Sequence, residues 1–213
     1  MNPIKKIICF QVVIFVFVFG CTPAGNSVKK INHYTLEYDP PGFEGLKPLS
    51  STIRVGKFQA APFYSSDRIS YQESPFQRKE YFYHKWRAKP RDLAAYFLAR
   101  DIRASSLFKA VFGVNSHSPS SFFIEGSVDE FFERDQENLR EAVLSISITL
   151  MKENEPDVSK KILLQKQYSA QSVCEKRNPQ ALAEAMSRAM SKVSEMIITD
   201  IYRSIARADV SSD

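Results

Sequence analysis

Apolar and polar residues alternate with a period of two along three consecutive segments in the second half of the chain. The segments are 122–133 and 142–150, with a weaker repeat over 162–170. Successive side chains of a β-strand point to opposite faces, so the alternation predicts three strands with one buried and one solvated face. Polar links of several residues separate them, and we therefore expect an antiparallel meander.

The first half of the chain contains shorter strand-like runs, which proline and glycine residues separate. We predict strands at 33–38, 52–61, 68–73, 77–87 and 107–112. Gly56 interrupts the alternation of the second run and indicates a bulge.

Two stretches have helical spacing instead. Pro90 suits the first turn of a helix, where its missing N–H would lack a partner anyway, and apolar residues follow it at Leu93, Ala94, Phe97, Leu98 and Ile102. Asn178 and Pro179 provide an N-cap and a first helical residue, and an apolar stripe then continues to about Arg207. The pattern predicts an α+β protein, an antiparallel or mixed β-sheet with two amphipathic helices packed on it, the second a long C-terminal helix.

The first residues of the chain have the organisation of a secretory signal peptide. Lys5 and Lys6 precede an uncharged, largely apolar run that ends at Gly20, and this run is short for a membrane-spanning helix, which needs about 20 residues. The following cysteine, Cys21, completes a sequence that resembles the bacterial lipobox, although Phe19 is larger than the residues usual at its position. The resemblance implies cleavage between Gly20 and Cys21 and lipidation of Cys21. The alternative is a conventional signal peptide that leaves Cys21 as a free cysteine.

These features divide the chain into three parts. We expect a lipoprotein signal peptide at 1–20, the lipidated cysteine and a polar tether at 21–32, and a single periplasmic α+β domain at 33–213. An extended tether of this length reaches no more than about 40 Å, which keeps the domain near its membrane. Thr22 is not the aspartate that in enteric bacteria usually retains lipoproteins in the inner membrane. The expected location is therefore the periplasmic face of the outer membrane of a Gram-negative bacterium.

Charge and cysteine content narrow the class of protein further. Removal of Lys5 and Lys6 with the signal leaves 27 basic residues against 24 acidic ones, a net charge of +3. This balance is too mild and too dispersed to indicate a nucleic-acid partner. Cys174 is the one cysteine beyond the lipobox, so the domain cannot build an internal disulfide framework.

Candidate catalytic and metal-binding residues do not form a recognisable constellation. The three histidines (His33, His84 and His117) have no carboxylate or cysteine at ligand spacing. Three acids of one predicted strand (Glu125, Asp129 and Glu133) share its polar face, where we expect them to be solvated. Cys174 has no nucleophile signature and is better explained as a small buried thiol. We therefore expect no metal, no cofactor and no enzymatic activity.

The aromatic segment 77–87 leaves two interpretations open. Alternation places Glu80, Phe82, His84 and Trp86 on one face, and Lys79, Tyr81, Tyr83 and Lys85 on the other. Apolar side chains on both faces indicate either a strand covered on each side or a face that binds another protein, such as a β-edge that pairs with a partner strand.

Several short motifs together resemble those of the ABC-type transport auxiliary lipoprotein family. They are Cys21 of the lipobox, Tyr34-Thr35-Leu36, Ile53-Arg54-Val55-Gly56, Asp67-Arg68-Ile69-Ser70-Tyr71 and Trp86-Arg87-Ala88-Lys89-Pro90. The tryptophan four residues before a helix-opening proline is, with the lipobox, the most specific of these. One departure is that Ile69 follows Asp67-Arg68 directly, without the proline and glutamine that the family usually has there.

The resemblance implies a non-enzymatic part of an intermembrane lipid transport system. In such systems an ABC transporter permease and ATPase work with an MCE-domain protein, and the lipoprotein would be an adaptor at the outer membrane. The family's marked positions are Asp67, Arg68, Trp86 and Pro90, and we add Tyr81 and Tyr83 as candidates for a partner-binding or architectural motif. Two alternatives remain, a module that binds a lipid or another apolar ligand, and a structural subunit of another outer-membrane assembly or export machine.

Overall fold

The fold is organised around one long strand that pairs along both of its edges. The computed structural model describes residues 29–137 and 139–210, so Gly20, Cys21 and the predicted signal peptide lie outside the described residues. The strands are β1 (Asn32–Tyr34), β2 (Leu49–Val55), β3 (Gln59–Ala60), β4 (Arg68–Gln72), β5 (Lys79–Trp86), β6 (Phe108–Phe112), β7 (Phe122–Asp135), β8 (Arg140–Lys152) and β9 (Ile162–Val173). The helices are α1 (Pro90–Ala104), α2 (Val158–Lys161) and α3 (Pro179–Val210), and a single 3-10 turn spans Pro62–Tyr64.

Strand β7 connects the two halves of a mixed sheet. Along one edge it pairs antiparallel with β8 over its whole length, and β8 pairs antiparallel with β9. Along its other edge it pairs in succession with β2, β3 and β4, each parallel to it. The sheet continues from β2 to β6 and from β4 through β5 to β1. The predicted meander is therefore confirmed as β7–β8–β9, and it forms one half of the sheet.

The two long helices pack on the sheet and fill the space above it. The stripe of α3 has no solvent exposure at its central positions, which are Leu182, Met186, Ala189, Val193, Ile197 and Ile201. Helix α1 contributes its own buried stripe, which includes Leu98 and Ile102. The α+β class with a long C-terminal helix is confirmed. No helix in the part of the chain that the structure describes combines the length and apolar character needed to cross a bilayer.

Several element boundaries differ from the prediction: β1 ends at Tyr34 and not at residue 38, and β2 begins at Leu49 and not at residue 52. The run 52–61 divides after Val55 into β2 and β3. At Gly56, where the division begins, a side chain would not fit, because an ideal Cβ would lie 2.5 Å from the ring of Phe123. The short helix α2 was not predicted, although Asp157 caps it by accepting a hydrogen bond from the backbone N–H of Ser159 at 2.9 Å.

The placement of Glu133 on the solvated face was wrong. The pairing of β7 with β8 shifts between Val128 and Glu130, so that Asp129 is an extra residue in β7. An extra residue reverses the faces of all that follow it in the strand. Glu133 therefore points into the protein and has no solvent exposure.

The strict alternation predicted for 77–87 was also wrong. Between the pairs Ser70↔Glu80 and Arg68↔Lys85, strand β4 has one residue and β5 has four, Tyr81 to His84. This bulge brings Tyr81 and His84, which alternation placed on opposite faces, into contact with ring centroids 5.8 Å apart. Phe82 and Trp86, which alternation placed together, differ completely in exposure, at 70% and 1%.

The start of α3 provides a first test of these assignments. The side-chain oxygen of Asn178 accepts a hydrogen bond from the backbone N–H of Ala181 at 2.8 Å. Replacing Asn178 by alanine is expected to lower the free energy of unfolding by about 1 kcal/mol, because that N–H loses its partner. Chemical denaturation should show this loss in Asn178→Ala and little of it in Asn178→Ser, whose hydroxyl can still cap. Equal losses in both variants would contradict the capping role.

Candidate interaction site around strands β4 and β5

The residues Asp67, Trp86 and Pro90 lie at a corner where the sheet passes into α1. The backbone N–H of Trp86 donates to the carbonyl oxygen of Asp67 at 2.7 Å. The Trp86 side chain is 1% exposed, and its ring packs edge-on against Phe131 with centroids 5.1 Å apart. Pro90 is buried as the first residue of α1. This corner can position a strand and a helix relative to each other, and it presents no tryptophan surface to a ligand.

The charged side chains of the Asp67-Arg68 motif lie at the surface. Asp67 pairs with the ammonium group of Lys85 at 3.3 Å, and Arg68 pairs with Glu80 at 3.1 Å. The Arg68 and Glu80 side chains are 49% and 40% exposed. Exposed pairs of this kind contribute little to stability, and both side chains of the Arg68–Glu80 pair reach solvent.

Tyr81 leads to a buried polar cluster that sequence reasoning did not find. Its hydroxyl donates to a carboxylate oxygen of Glu133 at 2.8 Å and accepts a hydrogen bond from Arg140. Arg140 also forms ion pairs with Glu133 and Asp135. We call Tyr81, Glu133, Asp135 and Arg140 the buried cluster. The only sequence signal for it was the presence of opposite charges on either side of the β7–β8 turn.

Burial determines the protonation behaviour around this cluster. It raises the pKa of Glu133 above the ordinary value, although the hydrogen bond from Tyr81 and the charge of Arg140 act in the opposite direction. Burial also raises the pKa of the neighbouring Cys174 thiol to about 11, with a smaller effect from Glu133. A thiol with that pKa is protonated at neutral pH and is a poor nucleophile.

Tyr83 and Phe82 occupy the outer part of the β5 bulge. Tyr83 is partly exposed, and its ring meets that of Phe82 edge-on with centroids 4.8 Å apart. Phe76, in the turn between β4 and β5, is fully exposed, and Phe63 of the 3-10 turn is 68% exposed. The structure thus divides the predicted motif residues into a core group, Trp86 and Pro90, and groups that reach the surface or the buried cluster.

The described residues offer little for catalysis by a metal. Within 29–137 and 139–210, no group of three or more His, Cys, Asp or Glu residues could hold a metal ion. The Nδ1 atom of His84 lies 3.0 Å from the hydroxyl oxygen of Tyr34, so the imidazole has a local hydrogen-bond partner.

Comparison with known proteins supplies the family. Solved structures with the same fold include a protein from Xanthomonas campestris, which is 16% identical with a TM-score of 0.75 over 84% of this chain and 98% of that chain. An uncharacterised protein has 11% identity and a TM-score of 0.60, over 76% and 99% of the two chains. A hypothetical protein from Chlamydia trachomatis has 7% identity and a TM-score of 0.51, over 72% and 96%. At these identities the likeness shows the fold alone.

A search of curated proteins found no match to this chain. A family model described as ABC-type transport auxiliary lipoprotein component matches residues 34–198, which include the last residue of β1, all of β2 to β9 and most of α3. The matched range also contains Asp67, Arg68, Trp86 and Pro90. Because the match extends over well more than half of the 213 residues, the chain belongs to the family of ABC-type transport auxiliary lipoprotein components.

Proposed function

We propose that this chain is a non-enzymatic adaptor in an ABC-type MCE system that moves lipid between the inner and outer membranes. Its lipidated Cys21 would hold it at the periplasmic face of the outer membrane. The membership of the auxiliary lipoprotein family supports the association with an ABC transporter. The lipobox-like sequence that ends at Cys21 supports the anchor, since two or three acyl chains on one residue bind a bilayer almost permanently.

The observation that favours an adaptor over a lipid carrier is the filled layer between α3 and the sheet. The buried stripe of α3 and the facing residues Leu144, Ile146 and Leu150 of β8 have zero solvent-accessible area. Zero accessible area means that no space of the size of a water molecule adjoins these side chains. An acyl chain would need an apolar cavity of about 300 Å³ or more, and this layer does not contain one.

The clefts on the surface do not replace such a cavity. A cleft of about 650 Å³ between β9 and α3 is lined mainly by polar and charged residues, which include Lys166, Gln167, Lys192, Glu195 and Asp200. Another of about 570 Å³ lies on the outer face of the sheet, where Ser147, Thr149, Gln165 and Gln167 are exposed to solvent or partly so. Both clefts are open to solvent, so an acyl chain in either would stay in contact with water.

Affinity purification from membranes tests the proposal directly. With the wild-type chain as bait, mild crosslinking should recover an MCE-domain protein together with the permease and ATPase subunits of its transporter. The variant Cys21→Ala should disappear from the outer-membrane fraction, because the acyl chains cannot be attached. Mass spectrometry of the mature protein provides the control, with the expected acyl groups on Cys21 of the wild type alone.

Other outcomes would contradict distinct parts of the proposal. If phospholipid copurifies with the folded domain and no transporter subunit is recovered, the chain is a lipid-binding module. If subunits of a different envelope assembly are recovered instead, the association with lipid transport is wrong. If Cys21→Ala fractionates as the wild type does, the anchor is wrong whatever the partners are.

A further inference from the structure

Three phenylalanine side chains lie in solvent around the β4–β5 hairpin. Phe63, Phe76 and Phe82 are 68%, 105% and 70% exposed, and we call them the aromatic rim. They are the exposed phenylalanines of the part of the chain that the structure describes. A cavity of about 480 Å³ is lined by Phe63 together with Arg78 and Glu80, which places the 3-10 turn beside β5. Exposed apolar residues gathered in one region mark a surface that contacts something else.

The backbone itself holds these rings outward. Phe82 lies in the four-residue bulge of β5, where Tyr81 at one end is tied inward to Glu133 and His84 at the other contacts Tyr34. Phe76 has a φ of 62°, a left-handed conformation that bulky residues rarely adopt. Such strain persists only where the surrounding structure enforces it, and it is concentrated at functional positions. The exposure of the rim is therefore a property of the fold.

The charges around the rim are biased toward cations. Each of its three acids is paired within the hairpin region, through Glu73–Lys79, Glu80–Arg68 and Asp67–Lys85. The ion pairs of the described residues in this region do not include Arg78 or Arg87, and the Arg78 guanidinium lies over the ring of Phe132 at 4.2 Å. Aromatic rings combined with excess arginine and lysine match the interface of a bilayer that contains anionic headgroups.

The amino-terminal chain joins the domain beside the rim. Strand β1 runs parallel to β5 with Asn32 opposite His84, so the first end of β1 is the end nearer to Phe82. About ten residues separate Asn32 from Cys21, which limits the distance between them to about 40 Å. A lipid anchor at Cys21 would therefore hold this side of the domain close to the bilayer.

We propose that the aromatic rim inserts into the interfacial layer of the membrane that holds the lipidated Cys21. This inference rests on the anchor proposed above. The rim would give the domain one fixed orientation on the bilayer. The binding partner that we propose is the phospholipid surface, and the alternative is a protein that binds at the same position.

Fluorescence quenching in vesicles tests this orientation. The variants Phe82→Cys and Val158→Cys are labelled with an environment-sensitive fluorophore, since Val158 of α2 is exposed to a similar extent, at 73%. Helix α2 leads into Ile162, which pairs through Met151 with Phe123, at the opposite end of β7 from the residues that pair with β4. The full mature protein is reconstituted into phosphatidylethanolamine and phosphatidylglycerol vesicles with nitroxide-labelled lipid. We expect about twofold or greater quenching at position 82, as for a group at the acyl-headgroup boundary, and no quenching at position 158.

Each remaining outcome decides the matter. Equal quenching at both positions, or none at either, would overturn the proposal for the rim. Acylation of Cys21 is measured separately by mass spectrometry, so the anchor could still be correct in that case. Quenching at position 82 that disappears in the background Phe63→Ser/Phe76→Ser would show that the rim acts as a unit. If the mature protein carries no acyl group, the anchor fails and the labelled variants are mixed with the same vesicles directly. Quenching at position 82 alone then supports lipid contact by the rim, and its absence overturns it.

Discussion

Replacing Arg140 by methionine is expected to lower the free energy of unfolding by about 3–5 kcal/mol at neutral pH, because it leaves the buried carboxylate of Glu133 without its ion pair. Glu133 has no solvent exposure, and the Arg140 side chain is 10% exposed. Methionine preserves most of the side-chain volume, so the loss reports the uncompensated charge. Denaturant unfolding followed by circular dichroism measures it.

The matched control is Arg68→Met, which removes a surface arginine from its pair with Glu80. Its expected loss is below about 1 kcal/mol. The double variant Glu133→Gln/Arg140→Met should recover a large part of the stability, since it removes both charges together. A loss in Arg140→Met no greater than in Arg68→Met would show that the buried cluster does not support the fold.

The loss of stability caused by Arg140→Met should be smaller in acid than at neutral pH. An acid whose pKa is higher in the folded than in the unfolded state binds its proton more tightly when folded, so protonation favours folding. Burial raises the pKa of Glu133 even with Arg140 present, and removal of Arg140 raises it further. The penalty of Arg140→Met should therefore decrease as the pH is lowered from neutrality through that raised pKa. The double variant should lack this dependence, and a penalty independent of pH would contradict the assignment.

Replacing Trp86 by alanine is expected to lower the free energy of unfolding by about 3–5 kcal/mol, the usual range for loss of a buried large aromatic side chain. Trp86 is 1% exposed and packs edge-on against Phe131. Phe82→Ala is a control in the same strand, because Phe82 is 70% exposed and its loss leaves no cavity. Thermal or chemical unfolding should separate the two variants clearly.

The comparison also distinguishes two roles for the tryptophan of the W-x-x-x-P motif. If Trp86→Ala unfolds the domain and Trp86→Phe largely restores it, the residue acts in the architecture of the corner. If Trp86→Ala leaves stability unchanged and abolishes recovery of transporter subunits, it acts in docking, against the burial described above. Phe82→Ala, in contrast, should leave stability within about 0.5 kcal/mol of the wild type, as for surface substitutions generally.

The parts of the fold that depend on local periodicity could be predicted from the sequence. The β7–β8–β9 meander and the two long helices follow from alternation and from the spacing of Leu182, Met186 and Val193. The parallel pairing of β2, β3 and β4 along one edge of β7 could not be predicted, because it joins segments more than fifty residues apart. The local pattern of a short segment does not indicate which distant strand it pairs with.

Only those residues of the candidate site that belong to a local sequence motif could be predicted. Trp86 and Pro90 are recognisable from their spacing, whereas Glu133 was assigned to solvent because one extra residue at Asp129 reverses the strand. A bulge of this kind leaves no reliable sign in a sequence of alternating residues. Tyr81 reaches Glu133 only through a second bulge, so the buried cluster depends on two irregularities that periodicity treats as absent.

The position of β7 also affects the order in which the chain can fold. A ribosome makes β1 to β6 first. Until β7 emerges, five of these strands can form two separate groups, β4 with β5 and β1, and β2 with β6, while β3 waits for β7, the strand with which it pairs. Parallel pairing between distant segments forms slowly, and the unpaired edges of both groups are open to wrong partners in the interval. For the export that we propose, this delay would be useful, because export requires an unfolded polypeptide and the strand that joins the two groups is made after both of them.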